Sequence, residues 1–438
     1  MNRTILGFLW LALYLLVVLA PIGLMLVPPV PSGRSFWVEL SVALGFVGLT
    51  QIGIQFVLIA RFKPLTYPFG IDVVLKYHRQ IAVVALLFVL VHPVLLLMEH
   101  PARVALLNPL GGTYASKFGL GAVLLLLALV ATSIWRVRLR IPYETWRGLH
   151  TGLGVLALAF SQVHVSLAGL YINTLWKQIL WLASSGILLS LIVYLRLVKP
   201  WLQKRRPWRV VGVRPEGGGT VNIDIEAVGH DGFRFHPGQF AWIKVGGSPY
   251  TLEEHPFSFA SSAEQTTRLS FGVKALGDFS ERMQQLEAGT TVYIDGPHGA
   301  FSIDRAQAPG YVFIAGGVGI TPMMSFLTTL ADRGDPRPIL LIYSTNTESE
   351  LAYSDEIEAL KERLDLETVF VLDEPPHDWA AEEGQVTGEL LDRRLPKERF
   401  VRRFFICGPS PMMQAVERAL LDHGVPQSHI YLEEFALA

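Results

Sequence analysis

Two apolar stretches each carry a pair of histidines. "YHRQIAVVALLFVLVHP" holds His78 and His92, and "LHTGLGVLALAFSQVHV" holds His150 and His164, both pairs 14 residues apart. On an α-helix that spacing rises about 21 Å and closes to within about 40° of four full turns, so each pair shares one helix face. Ionisable side chains inside an apolar span are costly and usually functional. Neutral imidazole binds iron well, and axial haem ligation is one of its standard roles. Two such helices facing each other would bring His78 to His150 and His92 to His164, giving two bis-imidazole sites stacked across a membrane. The alternatives are hydrogen bonds between helices and a proton relay, but relays normally include buried carboxylates and these stretches have almost none. Arg79 and Arg147, near the first level, suit either haem propionates or anchoring at a membrane face. His100 reads as a surface residue.

Further along, "FIAGGVGITPMMSFL" has the composition of a phosphate seat. Gly316, Gly317 and Gly319 would let the backbone approach a ligand, Thr321 would cap the next helix, and Pro322 suits its first position. Exposed N–H groups and the helix dipole then favour a pyrophosphate. In "EEHPFSFAS", Pro256 fixes the backbone, Phe257 can flank a flat ligand, and Ser258 can donate to it. "VKALGDFS" places Gly277, Phe279 and Ser280 at another turn. Ordinary β-hairpin chemistry is the alternative for either run alone.

The elements that must position these groups divide the chain in two. The whole is 51% hydrophobic and 17% charged with a net charge of −1, which gives no support for nucleic acid as a partner. Residues 1–200 hold 15 Lys and Arg against four acids, Glu39, Asp72, Glu99 and Glu144, whereas the remainder is acidic. Spans of about 20 apolar residues are expected near 5–27, 37–60, 78–98, 117–135, 148–170 and 175–197, the first retained as a helix. With the N-terminus inside, 11 basic residues fall on the inner side and four on the outer. Both termini are then cytoplasmic, with His78 and His150 at the inner level and His92 and His164 at the outer. Cys407 is the only cysteine, which excludes an internal disulfide framework and any CxxC metal site.

After the junction "KPWLQKRRPWRV", residues 201–307 show short alternating segments such as "FAWIKV" and "TTVYIDG", as in a small antiparallel barrel. Residues 308–438 alternate strand and helix through "YVFIA", "PILLIY", "TVFVL" and "FFICG", the pattern of a parallel nucleotide-binding sheet. The expected class is therefore a multi-domain membrane protein: a six-helix bundle (1–200), an antiparallel β-barrel and an α/β domain.

These motifs, in this order and over nearly the whole chain, resemble a known family. Residues 1–200 look like the ferric-reductase-like membrane domain shared by NADPH oxidases and ferric reductases, and the rest like a ferredoxin–NADP reductase module. The resemblance implies that His78 with His150, and His92 with His164, ligate two b-type haems. It implies FAD contacts from His255, Pro256, Phe257 and Ser258, with the turn from Lys274 through Gly277, Phe279 and Ser280 near the pyrophosphate. Gly316, Gly317, Gly319, Ile320, Thr321 and Pro322 would hold the nicotinamide dinucleotide. Cys407, Gly408 and Pro409 would lie near its nicotinamide, and Phe435 would stack on the flavin. Taken alone, Cys407 reads as a small core residue and Phe435 as a packed terminal aromatic. The run "YSTNTESE" has no Arg for a 2′-phosphate and two acids, which leaves NADH open beside NADPH. Ala436–Ala438 follow Phe435, so the tail differs from relatives in which the aromatic is terminal.

The function implied is transfer of electrons from cytoplasmic NAD(P)H through FAD and two haems to an outer acceptor. Dioxygen, giving superoxide, is favoured over a ferric complex, because the outer run "EHPARVALLNPLGG" has few ligating groups. A quinone- or partner-coupled reductase serving a periplasmic protein is the second reading. A haem carrier or sensor with an inactive soluble half is the third. No calcium-binding loop or proline-rich docking segment is evident, so constitutive activity is the simpler expectation, and no obligate protein partner is implied.

Overall fold

The computed structural model describes residues 3–434, excepting the side chains at 3, 4, 66–68 and 72. The chain forms two compact units, Met1–Lys199 and Pro200–Ala438.

Among the described residues of the first unit, six helices are long and apolar enough to cross a membrane. They are α1 (Arg3–Leu26), α2 (Phe36–Leu58), α4 (Ile71–Glu99), α5 (Tyr114–Ile134), α6 (Tyr143–Ala168) and α7 (Leu175–Val193), with a short α3 (Lys63–Phe69) before α4. Local chemistry sets several ends. The Ser35 and Thr113 hydroxyls accept from the Val38 and Ser116 amides to cap α2 and α5, and Gly169 ends α6 in the left-handed region at φ +61°. α4 and α6 each begin seven residues before their first histidine, earlier than the apolar pattern alone predicts. His78 and His150 therefore stand two turns inside their helices, not at the ends. α2 lies against α4 and α5 against α6, with glycines at the closest approach. A Cβ on Gly48 would lie 2.9 Å from Val89 Cγ2 and one on Gly121 2.7 Å from the Phe160 ring. Small residues allow this because hydrocarbon supplies little drive for helix association, so close packing must supply it. A π-turn at Tyr194–Val198 carries α7 into α8 (Lys199–Lys204).

The second unit opens with six antiparallel strands: β1 (Trp208–Gly217), β2 (Thr220–Ala227), β3 (Phe240–Val245), β4 (His255–Ser258), β5 (Arg268–Lys274) and β6 (Thr291–His298). Their order is β4-β3-β6-β1-β2-β5, and an antiparallel bridge from Phe259 to Phe271 joins the two edges, closing the barrel. Alternate residues, including Trp208, Ile223, Ile225, Ile243 and Phe271, fill its interior. α9 (Asp278–Gln284) follows β5.

The chain then builds a parallel sheet from β7 (Tyr311–Gly316), β8 (Ile339–Thr345), β9 (Leu366–Leu372), β10 (Glu382–Glu383), β11 (Arg403–Cys407) and β12 (Ile430–Glu433). The helices α10 (Ile320–Asp332), α11 (Ser354–Leu360), α12 (Gly388–Arg394) and α13 (Ser410–Asp422) complete it. The order β10-β9-β8-β7-β11-β12 reverses direction at β7, so the crevice between the carboxyl ends of β7 and β11 is where such a sheet binds ligands. Both faces of the sheet carry core clusters, which explains the continuous apolar runs of β7 and β8.

Candidate functional site

In the first unit the four histidines form two facing pairs. The ring centroids of His78 and His150 are 6.4 Å apart, and those of His92 and His164 are also 6.4 Å apart. Imidazole–metal bonds of about 2 Å on both sides of one ion, plus ~1.1 Å from each nitrogen to its ring centre, span roughly 6.2 Å. Each pair is thus separated by the gap that one axially ligated metal fills. The residues fit haem iron, a group that takes two neutral imidazoles.

The orientation of the rings is set from the neighbouring helices. His92 Nδ1–H donates to the Ser41 carbonyl at 2.8 Å and meets the Ser41 hydroxyl at 3.0 Å. That hydroxyl donates in turn to the His92 carbonyl at 2.7 Å, so it accepts from the ring. His164 Nδ1–H donates to the Ala115 carbonyl at 2.7 Å. A carbonyl only accepts, so the proton sits on Nδ1 in both rings and the Nε2 lone pair is left for a metal. Glycines make the approach possible. A Cβ at Gly45, four residues after Ser41, would lie 3.2 Å from His92 Nδ1, and one at Gly119, four after Ala115, 2.8 Å from His164 Nδ1. Fourteen residues after Gly119 stands Ser133, whose hydroxyl donates to the Leu129 carbonyl at 2.7 Å and lies 3.1 Å from His150 Nδ1. There the hydroxyl stands between ring and carbonyl. Ser41, Gly45, Ala115, Gly119 and Ser133 were not read from sequence, although S-x-x-x-G and A-x-x-x-G inside apolar spans are the small-residue spacing that marks close helix contact.

Midway between the histidine levels, α4 and α6 present Ala85 and Ala157, 0% and 1% exposed and packed with Ile52 and Leu126. Arg147 lies one turn from His150 on the same face of α6 and is partly buried, whereas Arg79 is exposed, next to His78 and so about 100° around α4 from it.

The second unit places its motifs at the crevice between β7 and β11, with some departures from expectation. Gly316 and Gly319 are small because two loops pack together. A Cβ on Gly319 would lie 2.1 Å from the Cys407 carbonyl, and one on Gly316 2.6 Å from Met412 Sδ. Gly408 has the same constraint, 2.8 Å from Met412 Cε. Gly317 alone of the three has open space around it, and its φ of +52° suits glycine. α10 begins at Ile320 with Gly319 at its cap, so Thr321 and Pro322 are its second and third residues and not cap and first residue. Thr321 points instead to the barrel: its buried hydroxyl has no hydrogen-bond partner, and a Cβ on Gly272 would lie 2.5 Å from it. Cys407 is wholly buried. Burial pushes its thiol well above the usual range, with Glu433 adding to the effect. Pro409 opens α13, where the Ser410 hydroxyl donates to Glu434. β12 pairs with β11 up to Glu433 opposite Cys407, and Phe435 lies outside the described residues.

On the barrel, "HPFS" is the edge strand β4, paired to β3 from His255 opposite Ile243 to Ser258 opposite Phe240. His255 and Phe257 share a face, with Phe279 stacked at 4.1 Å and 6.2 Å from their centroids. Pro256 and Ser258 alternate to the other side, Ser258 only 5% exposed. Ser280 caps its own helix, accepting from the Leu276 and Gly277 amides at 2.9 and 3.0 Å and donating to the Gly277 carbonyl, so its hydroxyl is saturated. Lys274 Nζ lies 3.4 Å from Glu350. One of the two acids after β8 is thus engaged with the barrel, leaving Glu348 exposed at the carboxyl edge of the sheet.

Three family descriptions match successive parts of the chain: ferric reductase like transmembrane component over residues 44–161, FAD-binding domain over 217–302, and oxidoreductase NAD-binding domain over 313–418. Among characterised proteins, the reductase component of propane 2-monooxygenase from Rhodococcus jostii (strain RHA1) is 30% identical over 52% of this chain and 62% of its own length. NADH-cytochrome b5 reductase 1 from Debaryomyces hansenii is 33% identical over 34% of this chain and 53% of its own. Both matches span less than two thirds of the relative. A solved FAD/NAD-binding domain of nitric oxide dioxygenase from Vibrio cholerae O1 biovar El Tor aligns at 24% identity and a TM-score of 0.47, covering 52% of this chain and 98% of that one.

Proposed function

This chain is an integral membrane NAD(P)H-dependent oxidoreductase with the domain architecture of the NADPH oxidase and ferric reductase family, and we propose that it moves electrons across the membrane to dioxygen. The observation that carries this reading is the pair of facing imidazole couples at one common spacing, 6.4 Å. The excess of basic residues at one set of helix ends supports a topology with both termini and the second unit on the cytoplasmic side. His78 and His150 then form the inner level, His92 and His164 the outer.

Bound FAD would accept hydride from NAD(P)H and release electrons singly, and two b-type haems would carry them between the levels. The chain's own residues do the positioning. The open backbone at Gly317 and the start of α10 would seat the dinucleotide, and His255, Phe257 and Phe279 offer the flat surface a flavin ring needs. Ser41 and Ala115 fix the outer imidazoles in the Nδ1–H tautomer with Nε2 presented for ligation, and Ser133 does the same for His150. Arg147, a turn below His150, suits a propionate at the inner edge. Ala85 and Ala157 pack between the levels with their methyl groups almost wholly buried. Dioxygen is the favoured acceptor because it needs no chelating side chains.

The test is the purified full chain, made with ample haem. Two haems per chain and NAD(P)H-driven oxygen uptake yielding superoxide are expected. Iron reduction that persists with superoxide dismutase present would assign the acceptor to a ferric complex. A colourless protein, or one holding a single haem, would overturn the reading.

A further inference from the structure

The seam between α2 and α4 repeats every seven residues. Ser41 is bonded to His92. Seven residues on along α2 and seven back along α4, a Cβ on Gly48 would lie 3.2 Å from the Ala85 carbonyl. The next step of the same antiparallel register sets Gln55 opposite His78. Two turns of helix separate successive contacts, so all three lie on one face of each helix.

At that third position, two buried groups lack partners among the described residues. Gln55 is 9% exposed; its Nε2 donates to the Gln51 carbonyl at 3.3 Å, and its Oε1 accepts from nothing. His78 Nδ1 is likewise buried with no partner, unlike Nδ1 of His92, His150 and His164. An unpaired donor and an unpaired acceptor in a low-dielectric seam each carry a desolvation cost that pairing removes. The backbone alternative used at the other level is less accessible here: Ile59 brings a branched side chain where Gly45, fourteen residues earlier, has none.

We propose that Gln55 is a positioning residue for the inner haem site, its side-chain oxygen accepting the Nδ1–H of His78. The pairing fixes the tautomer with Nε2 free and raises the basicity of the ring as a ligand. Each of the four imidazoles then has an acceptor of different kind: carbonyl with hydroxyl for His92, carbonyl for His164, hydroxyl for His150, and side-chain amide for His78. The proposal rests on the reading of the histidine pairs as haem ligands.

A redox titration of the full-length protein, followed by its visible spectrum, tests it. The two waves are first assigned with His92→Ala, which keeps the inner pair. Gln55→Met, similar in volume without a strong acceptor, is expected to keep two haems and move the inner wave upward by about tenfold in its oxidised-to-reduced ratio, ~59 mV for one electron. The outer wave should stay in place. Gln55→Glu restores an acceptor oxygen and should return the inner wave to its original position or below. Inner waves that coincide in wild type, Gln55→Met and Gln55→Glu would overturn the proposal while leaving the haem assignment intact. A wild-type protein without two haems removes the parent reading instead.

Discussion

His92 and Ser41 are joined three times across the seam between α4 and α2: ring N–H to carbonyl at 2.8 Å, ring N–H to hydroxyl at 3.0 Å, and hydroxyl to the His92 carbonyl at 2.7 Å. His164 meets Ala115 through the ring N–H to carbonyl bond alone across the α6–α5 seam, and both approaches pass over a glycine. The glycines therefore predict a graded effect. Gly119→Ala, with its methyl 2.8 Å from His164 Nδ1, should displace the ring and lower haem content to near one per chain. Gly45→Ala, at 3.2 Å, should retain most of the second haem. Pyridine haemochrome assay of the two purified variants measures this directly, and equal loss from both would contradict it.

Replacing His92 by alanine removes one ligand of the outer couple and leaves His78 and His150 facing each other. Haem content should fall to one, and acceptor reduction by at least about tenfold, since a missing relay interrupts delivery. Bleaching of FAD by NAD(P)H should persist at the wild-type rate, because no residue of the second unit is altered. Stopped-flow absorbance at the flavin band separates the two effects.

Glycine substitutions in the nucleotide crevice should rank by what surrounds them. Gly319→Ala drives a methyl into the Cys407 carbonyl, 2.1 Å away, and should destabilise the second unit by about 3 kcal/mol, the upper range for overpacking. Gly317→Ala meets no atom but must hold φ +52°, a cost of about 1 kcal/mol. Its larger effect should be on KM for the nucleotide. Thermal unfolding with steady-state kinetics distinguishes the pair.

Acid should loosen one contact between barrel and sheet. Asp304 accepts from Arg333, just past the end of α10, and from His236. Burial pushes its carboxyl up, but these hydrogen bonds outweigh burial and hold it down at about 2. A carboxyl lower in the folded than in the unfolded chain, where it is about 3.9, stabilises fully above that value and loses its contribution as pH falls towards 2. Asp304→Asn should therefore show a constant stability deficit from neutral pH to about pH 4.5, shrinking below that. Denaturant midpoints across this range give the profile, and a deficit unchanged at about pH 3 would count against the pairing.

Nucleotide choice should turn on Glu348, which is exposed beyond β8, since Glu350 is engaged with Lys274. An acid in that region favours a ribose hydroxyl and disfavours a 2′-phosphate. Glu348→Arg is expected to raise the NADPH-to-NADH ratio of kcat/KM by about tenfold, near 1.4 kcal/mol. Glu350→Gln should leave that ratio within about twofold of wild type, well below that threshold.

The histidine ladder was legible in sequence because a 14-residue interval against a 3.6-residue period fixes a shared face without any tertiary information. "YVFIAGGVGITP" was legible for a similar reason: apolar strand, glycine turn and helix start are all local. What could not be read was whatever depends on helix register. Ser41, Gly45, Ala115, Gly119 and Ser133 act only through a partner on another helix, and no local pattern names that partner. The loop packing at Gly316 and Gly319 was equally hidden, because their crowding comes from Cys407 and Met412, nearly a hundred residues away. The starts of α4 and α6 were placed late because charged residues such as Lys76 and Arg147 mask helical turns that extend past the apolar run.

The paired alanines halfway along α4 and α6 carry one last implication. Methyl groups packed against isoleucine and leucine bring no titratable side chain to that layer, so under the proposed relay these positions offer no proton acceptor to accompany an electron. Each turnover would then separate charge, and its speed should answer to the voltage across the bilayer, at about 2.3 kcal/mol per elementary charge for every 100 mV.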